Sequence, residues 1–235
     1  MNDQLQPTLG AVPDVETENW LALFPEVVIG AALGTLAMVG LGNMMPGSWM
    51  LYFGWFGVPI IFVVLSIYLA GRTGVRYGLR ILSPGNTAAN FLRFSLSVLA
   101  LIAFIEVLYL LRTSPDQLSD ITWFHIDTSR LLSAAVLRSL IGSPIGEEML
   151  FRGWLFTLLS KRVSTRFRAW HFDIAHANIL TSVAFTIVHL SNGFSLGNLL
   201  IFLAVFLYSL LLGAAREASG GLLLPMWCHF LFNFF

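Results

Sequence analysis

The chain has 235 residues, of which 57% are hydrophobic and only 11% charged, with 13 basic and 13 acidic side chains that cancel. A soluble domain carries about a quarter charged residues, so this composition excludes an ordinary water-soluble globule and predicts an integral membrane protein. Zero net charge argues against a broad basic face for nucleic acid. The single cysteine, Cys228, excludes an internal disulfide framework.

At about 20 residues per spanning helix, the length accommodates an all-α, polytopic transmembrane helix bundle of about seven spans. Residues 1–19 carry Asp3, Asp14, Glu16 and Glu18 without a Lys or Arg. They are expected to be a disordered tail and lack the basic start of a signal peptide. Spans are predicted at 24–42 (with Gly30 and Gly34 at close-packing spacing), at 50–71 and at 91–111. Between the second and third lies a loop, 72–90, holding Arg72, Arg76 and Arg80. Residues 113–130 are polar and acid-rich. The apolar stretch 131–160 would reach about 45 Å as one straight helix, more than a bilayer core needs. Gly142 and Pro144 therefore predict a bent or interrupted helix, with Glu147 and Glu148 just after the break.

A basic loop, 161–178, follows with Lys161, Arg162, Arg166 and Arg168, and further apolar segments cover 178–190, 198–215 and 222–235. An N-terminal helical region, 20–132, thus precedes a core domain, 133–235. Placing the N-terminus in the cytoplasm puts the arginine-bearing loops on the cytoplasmic side, in keeping with the positive-inside bias.

Chemistry concentrates in Gly146-Glu147-Glu148-Met149-Leu150-Phe151-Arg152. Ionisable residues at bilayer depth cost roughly 2.5–3.5 kcal/mol each on insertion scales, so they need partners or a water-filled cavity. Three pairs at i,i+4 each share a helix face: Glu148 with Arg152, Phe185 with His189, and His229 with Asn233. Counted from the cytoplasmic ends of their segments, at about 1.5 Å per residue, Glu147, His229 and His189 lie within one layer, about 11–20 Å deep.

Such a pocket suits water activation. Glu147 can take a proton from water beside a nearby imidazole, while Asn233 and His229 can donate to a developing oxyanion. Arg152 would hold Glu148 in a supporting role. Taken singly, each pair has a bland reading: a structural ion pair, a hydrogen-bonded bundle histidine, or interhelical glue. Together they exceed what glue requires. His125, His171 and His176 read as solvated loop residues, Glu106 with Arg138 as an interhelical ion pair, and Cys228 as a small buried hydrophobe.

Glu147-Glu148-x-x-x-Arg152, Phe185-x-x-x-His189 and His229-x-x-x-Asn233 resemble, in order, the three motifs of the CPBP intramembrane proteases. That family includes type II CAAX prenyl endopeptidases, bacteriocin-processing and immunity proteins, and Abi-type membrane proteins. The resemblance covers 133–235 and implies a glutamate-dependent endopeptidase acting on a membrane-anchored protein or peptide, in which prenylation or C-terminal processing is a feature of some substrates. It implies Glu147 as base, His189 as the residue positioning water, and His229 with Asn233 as the oxyanion site. Glu148, Arg152 and Phe185 fall on supporting positions.

The family was long described as metalloproteases, which leaves zinc on Glu147, His189 and His229 as the alternative to a cofactor-free mechanism. Two other classes compete: a non-catalytic scaffold or immunity protein that keeps the fold, and a proton relay.

Overall fold

The structure, a computed structural model, describes residues 58–112, 142–169, 172–189 and 196–234. The expected tail, the span at 24–42, the polar stretch 113–130, His125, His171 and the Arg138 partner of Glu106 lie outside these residues. Helices dominate: α1 (Val58–Arg72), a 3-10 turn (Arg76–Leu79), α2 (Ala88–Arg112), α3 (Ser143–Glu148), a π-helical segment (Met149–Leu155), α4 (Phe156–Arg162), α5 (His176–Val188), α6 (Leu196–Ser219) and α7 (Leu223–Phe234).

Two of these helices are long and apolar enough to cross a membrane, Ala88–Leu108 within α2 and Leu199–Ser219 within α6. Only 11% of the first is buried against the rest of the chain. A core helix of a soluble protein hides its apolar side chains. Here Leu92, Leu96, Phe104 and Val107 remain exposed, as do Ile60, Val64 and Ile67 of α1. Apolar surface of that extent fits contact with another apolar phase, as in a membrane-embedded chain.

α1 ends where Gly74 takes a positive φ of 68° and lets the Val75 N–H reach back to the Ala70 carbonyl at 2.9 Å. This left-handed C-terminal closure buries Val75 completely. The same end is tied to the π segment by a hydrogen bond from the Trp154 indole to the Thr73 hydroxyl, 3.2 Å.

The loop expected over 161–178 is not all loop. Arg166–Ala169 (β1) and Phe172–Ala175 (β2) form an antiparallel pair, with Arg168 opposite Asp173. Local pairing explains it: Arg166 donates to the Asp173 carboxylate at 2.6 Å and to Glu217 of α6 at 2.7 Å. The Arg166 guanidinium holds the Asp173 carboxyl below the usual carboxylate range. That contribution is present at neutral pH and is lost as pH falls through the lowered pKa. It is small, because both partners are solvated. His176, expected in a solvated loop, instead starts α5 and is half-buried, its N–H bonded to the Thr165 carbonyl at 3.1 Å.

Two buried clusters flank the middle of the bundle. One joins Phe62, Phe151, Trp154, Leu155 and Phe185 from α1, the π segment and α5. The other joins Phe94, Val98, Tyr208, Leu212 and Cys228 from α2, α6 and α7. α5 and α6 meet closely because residue 213 has no side chain. A Cβ on Gly213 would overlap the Asn178 carboxamide, which is buried and donates to the Leu210 carbonyl at 3.1 Å. Gly213→Ala is expected to destabilise by about 1–3 kcal/mol, the usual cost of overpacking, as a lower midpoint of detergent-phase thermal unfolding. An unchanged midpoint would mean that Asn178 relaxes at no cost.

Candidate functional site

The site lies between the two clusters. Glu147 and Glu148 close α3, Arg152 sits in the π segment, His189 terminates α5 and His229 lies inside α7. Glu148 and Arg152 are both fully buried, and the Nη1 of Arg152 donates to the Glu148 Oε1 at 3.2 Å. Its Nη2 donates to the carbonyl and hydroxyl of Ser209 on α6, at 3.0 and 2.6 Å. The guanidinium lies 4.4 Å from the centre of the Phe185 ring, a cation–π contact of the strong, desolvated kind.

The hydrogen-bond chemistry of the two imidazoles follows from their fixed partners. His189 Nδ1 is 2.7 Å from the Phe185 carbonyl. A carbonyl only accepts, so Nδ1 carries the proton, and in the neutral ring Nε2 is a bare acceptor. His229 Nδ1 is 2.8 Å from the Glu148 Oε1. An ionised carboxylate also only accepts, so His229 too presents an unprotonated Nε2 when neutral. Both Nε2 atoms face one atom, the Glu147 Oε2, at 4.0 Å from His189 and 3.9 Å from His229.

Glu147 Oε1 accepts from the Ser143 hydroxyl one turn earlier. Oε2 is buried and has no hydrogen-bond partner among the described residues. With both rings neutral, three acceptors converge on one space, and a group placed among them must donate. The separations exceed a direct hydrogen bond and suit a bridging water.

Zinc fits this arrangement poorly. Tetrahedral Zn with bonds of about 2.0–2.1 Å holds neighbouring ligand atoms about 3.3–3.4 Å apart. The two oxygen–nitrogen distances here are 3.9 and 4.0 Å. Among the described residues no group of three His, Cys, Asp or Glu is arranged to hold a metal.

Aromatic rings fix the walls. Phe185 stacks on His189 (4.5 Å, 30°) and meets His229 and Phe151 edge-on, at 6.1 and 5.1 Å. Tyr208 of α6 approaches His229 edge-on at 5.7 Å from the opposite side. Each such pair contributes about 0.5–1.5 kcal/mol beyond its area and limits ring rotation. Asn233 lies one turn beyond His229 on α7 and is exposed.

Ser143, Ser209 and Tyr208 escaped the sequence reading. Ser143 sits at i−4 from Glu147, a signal available in the sequence. Nothing local marks Ser209 as a neighbour of Arg152, 57 positions earlier, or Tyr208 as a neighbour of His229.

Residues 129–235 match the family model described as type II CAAX prenyl endopeptidase Rce1-like. No curated protein and no solved structure matches the chain.

Proposed function

From the match of residues 129–235 to the Rce1-like type II CAAX prenyl endopeptidase model, we propose that this protein is a glutamate-dependent intramembrane endopeptidase. Its substrate is a membrane-anchored protein or peptide, of the prenylated or C-terminally processed kind. The observation that carries this reading is the buried, unpartnered Glu147 Oε2 facing two imidazole nitrogens at 3.9 and 4.0 Å.

In this reading a water donates one hydrogen to Glu147 and the other to the neutral Nε2 of His189. Glu147 takes the proton as the water oxygen attacks the scissile carbonyl carbon. The carbonyl oxygen becomes an oxyanion and accepts from the Asn233 amide and from His229. Collapse breaks the C–N bond, and Glu147 returns the proton to the leaving amine.

His229 donates through Nε2 only as an imidazolium. Burial strengthens each of these interactions relative to water.

The test is cleavage of membrane-anchored peptides, with and without a prenyl group, by the full chain in proteoliposomes, with products identified by mass. Asn233→Ala is expected to lower kcat by about 10²–10³, the cost of one oxyanion donor. Treatment with a zinc chelator is expected to leave turnover unchanged. Chelator inactivation reversed by added zinc would replace the glutamate mechanism with the metal one.

A further inference from the structure

A second polar feature lies away from the Glu147 pocket. A cleft of about 410 Å³ opens where the 3-10 turn, α4 and the end of α6 meet, lined by Tyr77, Arg80, Ser160, Lys161, Arg216 and Glu217 among others. It sits at the ends of α4 and α6 that the positive-inside bias assigns to the cytoplasmic surface.

Its charges are unbalanced. Arg216 is only 7% exposed, yet its guanidinium donates to two neutral carbonyls, those of Arg152 (3.3 Å) and Gly78 (3.1 Å). Lys161 donates to the Gly74 carbonyl at 3.0 Å and lies over the Tyr77 ring, and Arg80 donates to the Leu82 carbonyl at 2.7 Å. The one carboxylate in the lining, Glu217, is taken by Arg166 of the hairpin at 2.7 Å. Among the described residues no carboxylate pairs with Arg80, Lys161 or Arg216.

Two exposed cations without a carboxylate are ordinary, since carbonyls and water serve them. A buried guanidinium is different, because its desolvation is offset only by a counter-charge or a full set of acceptors. We propose that this cleft binds a phosphate-bearing anion, held by Arg216 at its floor and by Arg80 and Lys161 at its mouth.

A tetrahedral oxyanion suits the donors: a planar guanidinium fork, a compact ammonium and the Ser160 hydroxyl. The cleft is roomier than a carboxylate needs, and it lies at the level where lipid phosphates meet basic pockets between helices. The site is separate from peptide hydrolysis, and its test does not need an active enzyme.

The full chain in an uncharged detergent is titrated with inorganic phosphate, short-chain phosphatidylglycerol or short-chain phosphatidylcholine at constant ionic strength, reading the thermal midpoint and bound mass by native mass spectrometry. Arg80→Gln/Lys161→Gln is the comparison, since both side chains are exposed and the fold does not depend on them. Saturable stabilisation by inorganic phosphate, about tenfold or more weaker in the double variant, supports the site and identifies a free anion as a sufficient ligand. The same pattern with phosphatidylglycerol alone supports it and identifies a lipid headgroup. Equal responses of wild type and double variant, equal effects of the two lipids, or no saturable response would overturn it.

Discussion

Glu147→Gln is expected to lower the rate of peptide cleavage by about 10²–10⁴, the usual contribution of a positioned general base, without unfolding the protein. Glutamine is nearly isosteric and keeps the oxygen that accepts from Ser143. Its amide nitrogen replaces the orphaned Oε2 and turns an acceptor facing the bare Nε2 of His189 into a donor. The thermal midpoint should stay close to that of the parent protein, because side-chain volume and the Ser143 hydrogen bond are kept. Product mass spectrometry and thermal unfolding on the same preparation separate the two effects. Normal cleavage by the variant would remove Glu147 from the chemistry. A biological effect that survives while cleavage is lost would favour the scaffold reading.

Arg152→Met should act on the fold instead. It strips a fully buried carboxylate of its cation and leaves Ser209 without its donor. Removing one partner of a buried ion pair costs about 3–5 kcal/mol, enough to threaten accumulation of the folded protein. The sign of the coupling is the sharper prediction. In Glu148→Gln/Arg152→Met neither charge remains, so the double variant should be more stable than Arg152→Met alone. Thermal unfolding of the four proteins in the cycle checks this; a double variant worse than the single one would contradict it. Activity should stay low in both, because Glu148, the anchor of the His229 ring, loses the cation that holds it in one and its charge as well in the other.

Much of the site was legible in the sequence because its signals are periodic. Charged residues in an apolar run mark themselves, and i,i+4 spacing puts Glu148 with Arg152 and Phe185 with His189 on shared faces. The ends of α5 and α6 proved harder: α5 begins at His176 and α6 runs from Leu196 to Ser219, each beyond the expected limits of 178 and 198–215. Apolar counting stops at the first polar residue, whereas a helix continues while its backbone hydrogen bonds are made.

The hairpin was hidden because its strands are four residues long and the first, with Arg166 and Arg168, reads as part of a basic loop. Contacts such as Arg152 with Ser209, or Arg216 with Gly78, join residues 57 and 138 positions apart. No local pattern encodes them; packing does. The π segment was equally silent, since its composition, Met-Leu-Phe-Arg-Gly-Trp-Leu, is that of any apolar helix.

That wide coil sets a constraint on how the gene can change. The Phe156 N–H bonds the Phe151 carbonyl, five residues back rather than four. The stretch holds more residues per turn than an α-helix, and such stretches often occur at functional sites. Loss of one codon here would let it tighten, which absorbs much of the roughly 100° that one α-helical residue turns, yet the side chains inside the coil would change face. Arg152 would lose its alignment with Glu148, and Gly153 would leave its close seat against Gly78. Swaps among its greasy side chains should be tolerated across descendants of this chain, while its length should be held fixed.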